Sequence, residues 1–239
     1  MILNSGLGTR LYPMTKSKPK ALLEIGDKTL LGHQLDSLTD CGINNIIMTT
    51  GPFEEKIKHY LKTAYPDVNV TYVKNPQYLT TNYIYSMWLT KNLITDNIIL
   101  FHGDLFFDKL LLKRLVDSKD VNCVLVNRKI EPPEKDFKAV IENSHVTKIG
   151  VGFFGANAFF CAPLYKFSKA DFMSWMNQIG RFVERGELTV YAENAFNEIS
   201  DQVILRPIYF DKEICLEVDT KEDLDTANVL FESSKMHEL

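Results

Sequence analysis

Two glycines and two cations near the start of the chain have the types and spacing that a phosphate-binding loop needs. Gly6 and Gly8 follow a short apolar run, Arg10 comes two residues later, and Lys20 lies ten residues further on, behind a proline. Glycine lets an anionic group approach the backbone amides, while an arginine fork and a lysine point charge both bind phosphate oxygens. The stretch indicates a phosphate site, although a turn with ordinary surface cations has the same composition.

Acidic residues near the ends of two later apolar runs have the chemistry of metal ligands. Asp104 follows the run 97–101, and Glu217 and Asp219 end the run 213–218. Mg²⁺ in proteins typically takes one or two carboxylates together with phosphate oxygens and water. Acids close to a loop with Arg and Lys therefore favour a Mg²⁺ ion that bridges nucleotide phosphates. A helix cap is the alternative for each aspartate alone.

These residues require a scaffold that brings strand ends together, and the pattern of the chain predicts one. Continuous apolar runs predict buried strands at 45–49, 68–73, 97–101 and 121–126. Helical periodicity predicts helices between them, at 30–38, 54–64, 83–93 and 110–116. Such alternation is typical of βαβ units with a mostly parallel sheet, whose ligands bind at the carboxyl ends of the strands.

The alternation changes after residue 128. Segments 138–142 and 145–149 predict an antiparallel hairpin across Asn143-Ser144, and a markedly apolar stretch follows. We expect a single α/β domain spanning 1–239. In this interpretation 1–128 and 203–239 form the core that binds a nucleotide and a metal. Residues 129–202 form an insertion on the side of the second substrate, the acceptor.

Composition narrows the function classes. The 239 residues are 45% hydrophobic, with a net charge of −4 and both signs mixed, which argues against a nucleic-acid or anionic-membrane partner. The four cysteines form no C-x-x-C pair, and no apolar run approaches the ~20 residues of a membrane span. We expect reduced thiols, no signal peptide, and a cytoplasmic monomer or homodimer. Whether the chain is the front of a fused polypeptide stays open.

Two motifs resemble a known family. The string G-x-G-T-R-L-x-P-x-T-x-x-x-P-K at 6–20 resembles the signature of the sugar-phosphate and choline-phosphate nucleotidyltransferases. The segment TNYIYS at 81–86 is similar to the N-N-x-Y-S segment of bacterial phosphocholine and 2-aminoethylphosphonate cytidylyltransferases. The resemblance implies a three-layer, Rossmann-like α/β fold with a mostly parallel, mixed central sheet and an inserted acceptor-binding lid.

The resemblance also implies residue roles. Lys20 would stabilise the α-phosphate and Arg10 the leaving pyrophosphate, while Asp104, Asp219 and Glu217 would hold Mg²⁺ as cofactor. His102 stands where relatives often have Asp, which leaves one acid fewer. The implied nucleotide contacts are Leu3, Asn4, Ser5, Gly6, Gly8, Thr9, Asn82 and Ser86.

We expect the acceptor to bind to the insertion at 129–202. Aromatic residues there (Trp175, Phe182 and Tyr191) could cage a quaternary ammonium, or could simply pack in the core. Glu193, Asn194 and Glu198 could instead hydrogen-bond a primary ammonium, and Arg181 or Arg185 could hold the phosphorus acid. This alternative favours 2-aminoethylphosphonate over phosphocholine. The predicted acceptor contacts are Tyr85, Trp175, Arg181, Tyr191, Glu193 and Asn194.

The sequence thus predicts a Mg²⁺-dependent cytidylyltransferase that transfers CMP from CTP to a small amine-bearing phosphonate or phosphate. No Ser-His-Asp or Cys-His arrangement is evident, and a phosphate acceptor needs no general base because its second pKa is ~6. A sugar-1-phosphate nucleotidyltransferase and a non-catalytic nucleotide-binding regulator are the alternatives.

Overall fold

The computed structural model describes residues 1–237. Its strands are β1 (Ile2–Asn4), β2 (Glu24–Ile25), β3 (Lys28–Thr29), β4 (Asn45–Thr50), β5 (Asn69–Lys74), β6 (Ile98–His102), β7 (Leu105–Phe107), β8 (Cys123–Asn127), β9 (Lys138–Glu142), β10 (His145–Gly150), β11 (Ala158–Phe167), β12 (Arg206–Phe210) and β13 (Cys215–Glu217). Its α-helices are α1 (Leu30–Asp40), α2 (Glu54–Ala64), α3 (Tyr83–Leu89), α4 (Lys109–Asp117), α5 (Lys169–Glu184), α6 (Ala192–Asn197) and α7 (Lys221–His237).

A nine-stranded mixed sheet forms the centre of the molecule. Its main path runs β10-β9-β11-β6-β1-β4-β5, and β8 pairs with β11 on one side and β12 on the other. Strands β1, β4, β5 and β6 are parallel to one another, whereas β11 is antiparallel to β6, β8 and β9. Because β1 lies between β4 and β6, the loops that follow these three strands converge at one edge of the sheet.

Helices cover both faces of the sheet, as the predicted three-layer fold requires. One buried apolar cluster joins the sheet to α1, α2 and α4. A second joins the opposite face to α3, α5 and α6 and contains Trp175 and Phe167. Strand side chains divide between the clusters by alternation, so that Ile2 belongs to the first and Met1 to the second.

The predicted elements of the first half are confirmed, with shifts of a few residues at their ends. The predicted hairpin is also confirmed, and Asn143 and Ser144 both have positive φ (49° and 62°), as a two-residue primed turn demands.

The segment 129–202, predicted as an insertion, contributes β9, β10 and β11 to the central sheet. This segment is therefore part of the central fold as well as of the predicted acceptor side. The neighbours of β11 in the sheet are strands that lie far from it in sequence, and the local pattern of residues does not specify them. Within residues 1–237 no helix combines the length and apolar character that crossing a membrane requires.

Candidate active site

The glycine loop begins where β1 ends. Gly8 adopts a left-handed conformation, with φ of 65°, and leads into a single 3₁₀ turn over Thr9–Leu11. The Thr15 hydroxyl donates a hydrogen bond to the Gly8 carbonyl at 2.6 Å and closes the loop. A Cβ on Gly8 would lie 3.3 Å from Lys20 Cβ, so glycine here lets the loop pack directly against the lysine.

The turn after β6 holds Asp104 beside this loop. Gly103 packs so closely on β1 that a Cβ would lie 1.8 Å from Asn4 Oδ1. From α1, the buried Gln34 side chain donates to the carbonyls of His102 (3.4 Å) and Leu105 (2.8 Å), on either side of the turn. The position of Asp104 is thus fixed by hydrogen bonds from the helical layer.

The start of α7 holds the second aspartate. Asp223 accepts from the backbone N–H groups of Asp219 (3.0 Å) and Thr220 (2.9 Å), and its own N–H donates to the Thr220 hydroxyl. This reciprocal cap orders the residues that follow β13. Asp219 is therefore held by the cap of α7 and is free to point into the cleft.

These elements assemble a compact ionic cluster. The ammonium of Lys20 donates to Asp104 Oδ2 at 2.8 Å and to Asp219 Oδ1 at 2.7 Å. Arg10 Nη2 lies 2.9 Å from the same Asp219 oxygen, with its side chain 61% exposed at the mouth of the cleft. Burial opposes the charge on Lys20, but the two aspartates outweigh it and raise its pKa. The lysine stays charged between the two carboxylates.

Glu217 lies deeper in the same cleft. Its Oε1 is buried and has no hydrogen-bond partner among residues 1–237. Burial, and then the charges of Asp104, Asp136 and Asp219, raise the pKa of Glu217 well above its ordinary value. Glu217 thus adds a further carboxyl group to the cavity that Asp104 and Asp219 line.

A small polar pocket of about 170 Å³ opens on one side of the cluster. The buried Asn75 donates to the hydroxyls of Thr81 and Ser86, both at 3.0 Å, and Asn82 caps α3. The hydroxyl of Ser5 is buried without a partner in the described part of the chain. Fixed amide and hydroxyl groups of this kind suit the donors and acceptors of a nucleobase.

Aromatic side chains line a larger cavity of the same cleft, of about 400 Å³, which shares Tyr83, His102 and Asp104 with the polar pocket. The ring centroids of Tyr83 and His102 are 4.6 Å apart, those of Phe137 and Tyr191 are 5.1 Å apart, and Tyr83 lies 6.0 Å from Tyr191. We call Tyr83, His102, Phe137 and Tyr191 the aromatic wall. The wall lines the same cavity as Lys20, Asp104, Glu217 and Asp219.

Comparison with known proteins adds to this geometry. Residues 1–143, more than half of the chain, match the family described as nucleotidyl transferase. The chain belongs to the nucleotidyl transferase family.

Several curated relatives of this nucleotidyl transferase act with cytidine nucleotides, by their names. The choline-phosphate cytidylyltransferase of Streptococcus pneumoniae is 36% identical over 118 residues, covering 49% of this chain and 50% of that protein. A CMP-5'-(3-aminopropyl)phosphonate synthase of Streptomyces rubellomurinus is 27% identical over 132 residues, covering 55% and 21%. A CTP:phosphoglutamine cytidylyltransferase of Campylobacter jejuni is 24% identical, covering 64% and 62%. The matches thus span less than two thirds of each relative.

Solved structures show the same fold over almost the whole chain. The CTP:phosphocholine cytidylyltransferase of Streptococcus pneumoniae superposes with a TM-score of 0.82 at 21% identity, covering 96% of this chain and 97% of that one. The inositol-1-phosphate CTP transferase of T. maritima gives 0.78 at 20% identity, covering 93% and 89%. These likenesses confirm the predicted α/β fold.

Two acidic residues of this nucleotidyl transferase have the chemistry of metal ligands, and phosphates and water would have to complete such a site. Among the described residues, no three His, Cys, Asp or Glu side chains form a ready metal cluster. Asp104 and Asp219 are nevertheless bridged by one cation, the Lys20 ammonium, and Asp104 Oδ1 is buried without a partner within residues 1–237. Two carboxylates suffice for Mg²⁺ when phosphates and water complete its coordination.

The structure brings most of the predicted core residues to one cleft. Nucleotide-side residues that line it are Leu3, Asn4, Ser5, Gly6, Gly8, Thr9, Asn82 and Ser86. The predicted catalytic and metal residues Arg10, Lys20, Asp104, Glu217 and Asp219 line it too, and so does Tyr191.

The other predicted acceptor contacts lie elsewhere. Trp175 is fully buried, and its indole N–H donates to the Ala192 carbonyl at 2.8 Å, so it packs in the core and offers no face to a ligand. Arg181 bonds to Gln178. Among the described residues that line the cleft, Tyr85, Arg181, Asn194 and Glu193 do not occur.

The charge pairing that favoured 2-aminoethylphosphonate is also not at the cleft. Arg185 pairs with Glu187 at 2.9 Å and lies 3.6 Å from Glu198, on the outer side of α5. Glu193 is buried behind the aromatic wall. This charge pairing therefore gives no support to 2-aminoethylphosphonate as the acceptor.

Sequence reasoning missed three members of the wall as ligand contacts, namely Tyr83, His102 and Phe137. His102 had a usable signal, because it precedes Asp104 at a strand end. Phe137 had none, since it follows an acidic, proline-rich loop whose path depends on β9 joining the sheet.

Proposed function

We propose that this protein is a Mg²⁺-dependent cytidylyltransferase, which transfers CMP from CTP to a small phosphate or phosphonate bearing an ammonium group and releases pyrophosphate. The observation that carries the proposal is the position of the Lys20–Asp104–Asp219 cluster. It lies in one cleft that also holds the polar pocket and the aromatic wall.

The reaction needs charge neutralisation and alignment more than proton transfer. An oxygen of the acceptor attacks the α-phosphorus, the new P–O bond forms, and the bond to the β-phosphate oxygen breaks, so that pyrophosphate leaves with the electron pair. The attacking oxygen is already anionic near neutral pH because the second pKa of a phosphate monoester is ~6. Positioned cations therefore account for the catalysis that the site supplies.

Each cation has a role that follows from its place. Lys20, at the centre of the cleft, would hold a non-bridging oxygen of the α-phosphate and neutralise the charge that develops there. Arg10, exposed at the mouth, would bind the departing pyrophosphate through its planar fork. Mg²⁺ held by Asp104 and Asp219 would supply further neutralisation of the phosphates.

The base and the acceptor are inferred from the two sides of the cleft. The names of three relatives specify cytidine nucleotides, and the polar pocket offers amide and hydroxyl groups for a base. Along the aromatic wall, the rings of Tyr83 and Tyr191 are not buried and can attract an ammonium, and trimethylammonium gains most because it has no N–H donors to satisfy. Phosphocholine is therefore the favoured acceptor.

A pyrophosphate-release assay tests the proposal. The purified chain would be assayed with CTP, UTP, ATP, GTP and dTTP against phosphocholine, 2-aminoethylphosphonate, phosphoethanolamine and glucose-1-phosphate. We expect turnover with CTP and phosphocholine, dependent on added Mg²⁺. Faster turnover of UTP or dTTP with glucose-1-phosphate would establish the sugar-phosphate alternative, and binding of CTP without turnover of any acceptor would establish the regulator.

A further inference from the structure

Glu193 is a buried carboxyl group directly behind the aromatic wall. It lies in the first turn of α6, and its side chain is 1% exposed. One of its oxygens accepts a hydrogen bond from the hydroxyl of Tyr83, and the other accepts from the hydroxyl of Tyr165 at 2.9 Å. His102 Nε2, buried and without a partner among residues 1–237, lies 4.0 Å from Glu193 Oε1.

The residues around Glu193 divide into a fixed side and a ligand side. Tyr165 is fully buried and packs against Trp175, whose indole N–H in turn holds α6 by the Ala192 carbonyl. Tyr83 and His102 line the cleft. Glu193 therefore connects a rigid part of the core to two side chains that face a ligand.

The donors in this arrangement are constant. Burial, followed by the neighbouring carboxylate, raises the pKa of both Tyr83 and Tyr165 well above the ordinary tyrosine value, so both hydroxyls keep their protons. A buried acid that receives two such hydrogen bonds is satisfied, whereas loss of one donor leaves an unpaired acceptor in the core. The orientation of the Tyr83 ring is consequently tied to Glu193.

We infer that Glu193 is a positioning residue for acceptor recognition, which acts through Tyr83 and does not touch the acceptor. The inference rests on the proposed function, because it assigns the aromatic wall to the acceptor. The hydroxyl of Tyr83 acts as a tether to Glu193 and sets the angle of the Tyr83 ring. The face of that ring then binds the ammonium of the acceptor.

A double-mutant cycle between Glu193→Gln and Tyr83→Phe tests the inference. Tyr83→Phe keeps the ring and removes only the tether. Each single variant should raise the acceptor KM about tenfold, the effect of one hydrogen bond to a charged group. The KM for CTP should rise much less, although the Tyr83 ring also borders the polar pocket. The acceptor KM of the double variant should be no higher than that of the more impaired single variant, because both changes break the same connection.

A matched control tests whether the loss of any tyrosine–carboxylate hydrogen bond would change the KM values. The Tyr65 hydroxyl donates to Asp36 Oδ1 at 2.7 Å, in a contact between α1 and the end of α2. Tyr65→Phe should leave both KM values unchanged. Multiplicative effects in the Glu193/Tyr83 cycle would show that Glu193 contacts the acceptor directly, and an unchanged acceptor KM in either single variant would also overturn the inference.

A second measurement separates this inference from the proposed function. In protein labelled with 3-fluorotyrosine, Glu193→Gln should shift the ¹⁹F resonance of Tyr83, assigned through Tyr83→Phe, whether or not the chain turns over phosphocholine. If the parent enzyme fails to use any acceptor, the proposed function is wrong. If the parent is active and the resonance does not move, only the tether is wrong. Should Glu193→Gln fail to fold, Tyr83→Phe alone must raise the acceptor KM, or the inference falls.

Discussion

At the scale of single residues, Lys20 stands out because it serves two carboxylates at once. Its ammonium lies 2.8 Å from Asp104 and 2.7 Å from Asp219, with the side chain 16% exposed. A cation held this firmly costs little reorganisation when a phosphate group arrives, which is the condition for electrostatic catalysis. Its removal should therefore affect the transition state more than the bound substrate.

We expect Lys20→Met to lower kcat about a hundredfold, roughly 3 kcal/mol of transition-state stabilisation, with the KM for CTP changed far less. Steady-state pyrophosphate release measures both constants. Lys16→Met is the matched control, since Lys16 is an exposed lysine of the same loop, and it should retain parental values. Equal turnover in Lys20→Met and the parent would contradict the catalytic assignment.

The same contact predicts competition between Lys20 and a divalent cation for the carboxylate oxygens. In the absence of nucleotide, Lys20→Met should bind Mn²⁺ more tightly than the parent, because the internal counter-cation is gone. Asp104→Asn and Asp219→Asn should bind it more weakly. Titration calorimetry on the nucleotide-free protein measures the three affinities, and weaker Mn²⁺ binding by Lys20→Met would rule the competition out.

Residue roles were predictable where they depend on the end of a strand and unpredictable where they depend on the face of a helix. Lys20, Asp104 and Asp219 could be grouped from a motif and two strand ends, although β13, which precedes Asp219, pairs with β7 in a separate two-stranded sheet. Trp175 and Glu193 could not be assigned, since the sequence of α5 and α6 gives their periodicity but not the surface that each face meets.

At the scale of elements, the loop before β9 decides how the aromatic wall is completed. Lys138 is fully buried at the start of β9, and its ammonium donates to the carbonyls of Glu134 (2.7 Å) and Val151 (3.1 Å). It also lies 4.9 Å from the ring centroid of Phe154. The lysine thus joins two loops on either side of Phe137.

We expect Lys138→Met to lower the free energy of unfolding by about 1–3 kcal/mol, because two part-buried hydrogen bonds from the buried ammonium are lost. The acceptor KM should rise as well, since the adjoining Phe137 loses support. Denaturant unfolding and steady-state kinetics measure the two effects. Lys129→Met, at an exposed lysine, provides the comparison and should stay within about 0.5 kcal/mol of the parent. An unaltered unfolding midpoint in Lys138→Met would contradict the role.

At the scale of the whole molecule, the alternation of strands and helices predicted the class of fold but not the order of the sheet. The parallel set β1, β4, β5 and β6 follows from βαβ units, whose handedness and burial are general properties. The placement of β11 between β6 and β8, with β9 at its other end, depends on pairing between segments far apart in sequence. Phe137, just before β9, reaches His102, at the end of β6, only through that pairing.

Both sides of the cleft are parts of one sheet-centred structure, so ligand binding should stabilise the whole fold. With CTP and Mg²⁺ at about a hundred times the dissociation constant, linkage predicts about 2.7 kcal/mol, or roughly 5–10 °C in Tm for a chain of this size. UTP, ATP and GTP at equal concentration should give smaller shifts. Differential scanning fluorimetry measures each shift.

The variants distinguish the two sides of the cleft in the same experiment. Asp219→Asn should lose most of the CTP shift, because its carboxylate holds both Lys20 and Arg10 in place. Glu193→Gln should have a lower Tm than the parent but keep most of the CTP shift, since Glu193 itself lines neither cavity of the cleft. A CTP shift that survives in Asp219→Asn and disappears in Glu193→Gln would reverse the assignment of nucleotide and acceptor to the two sides.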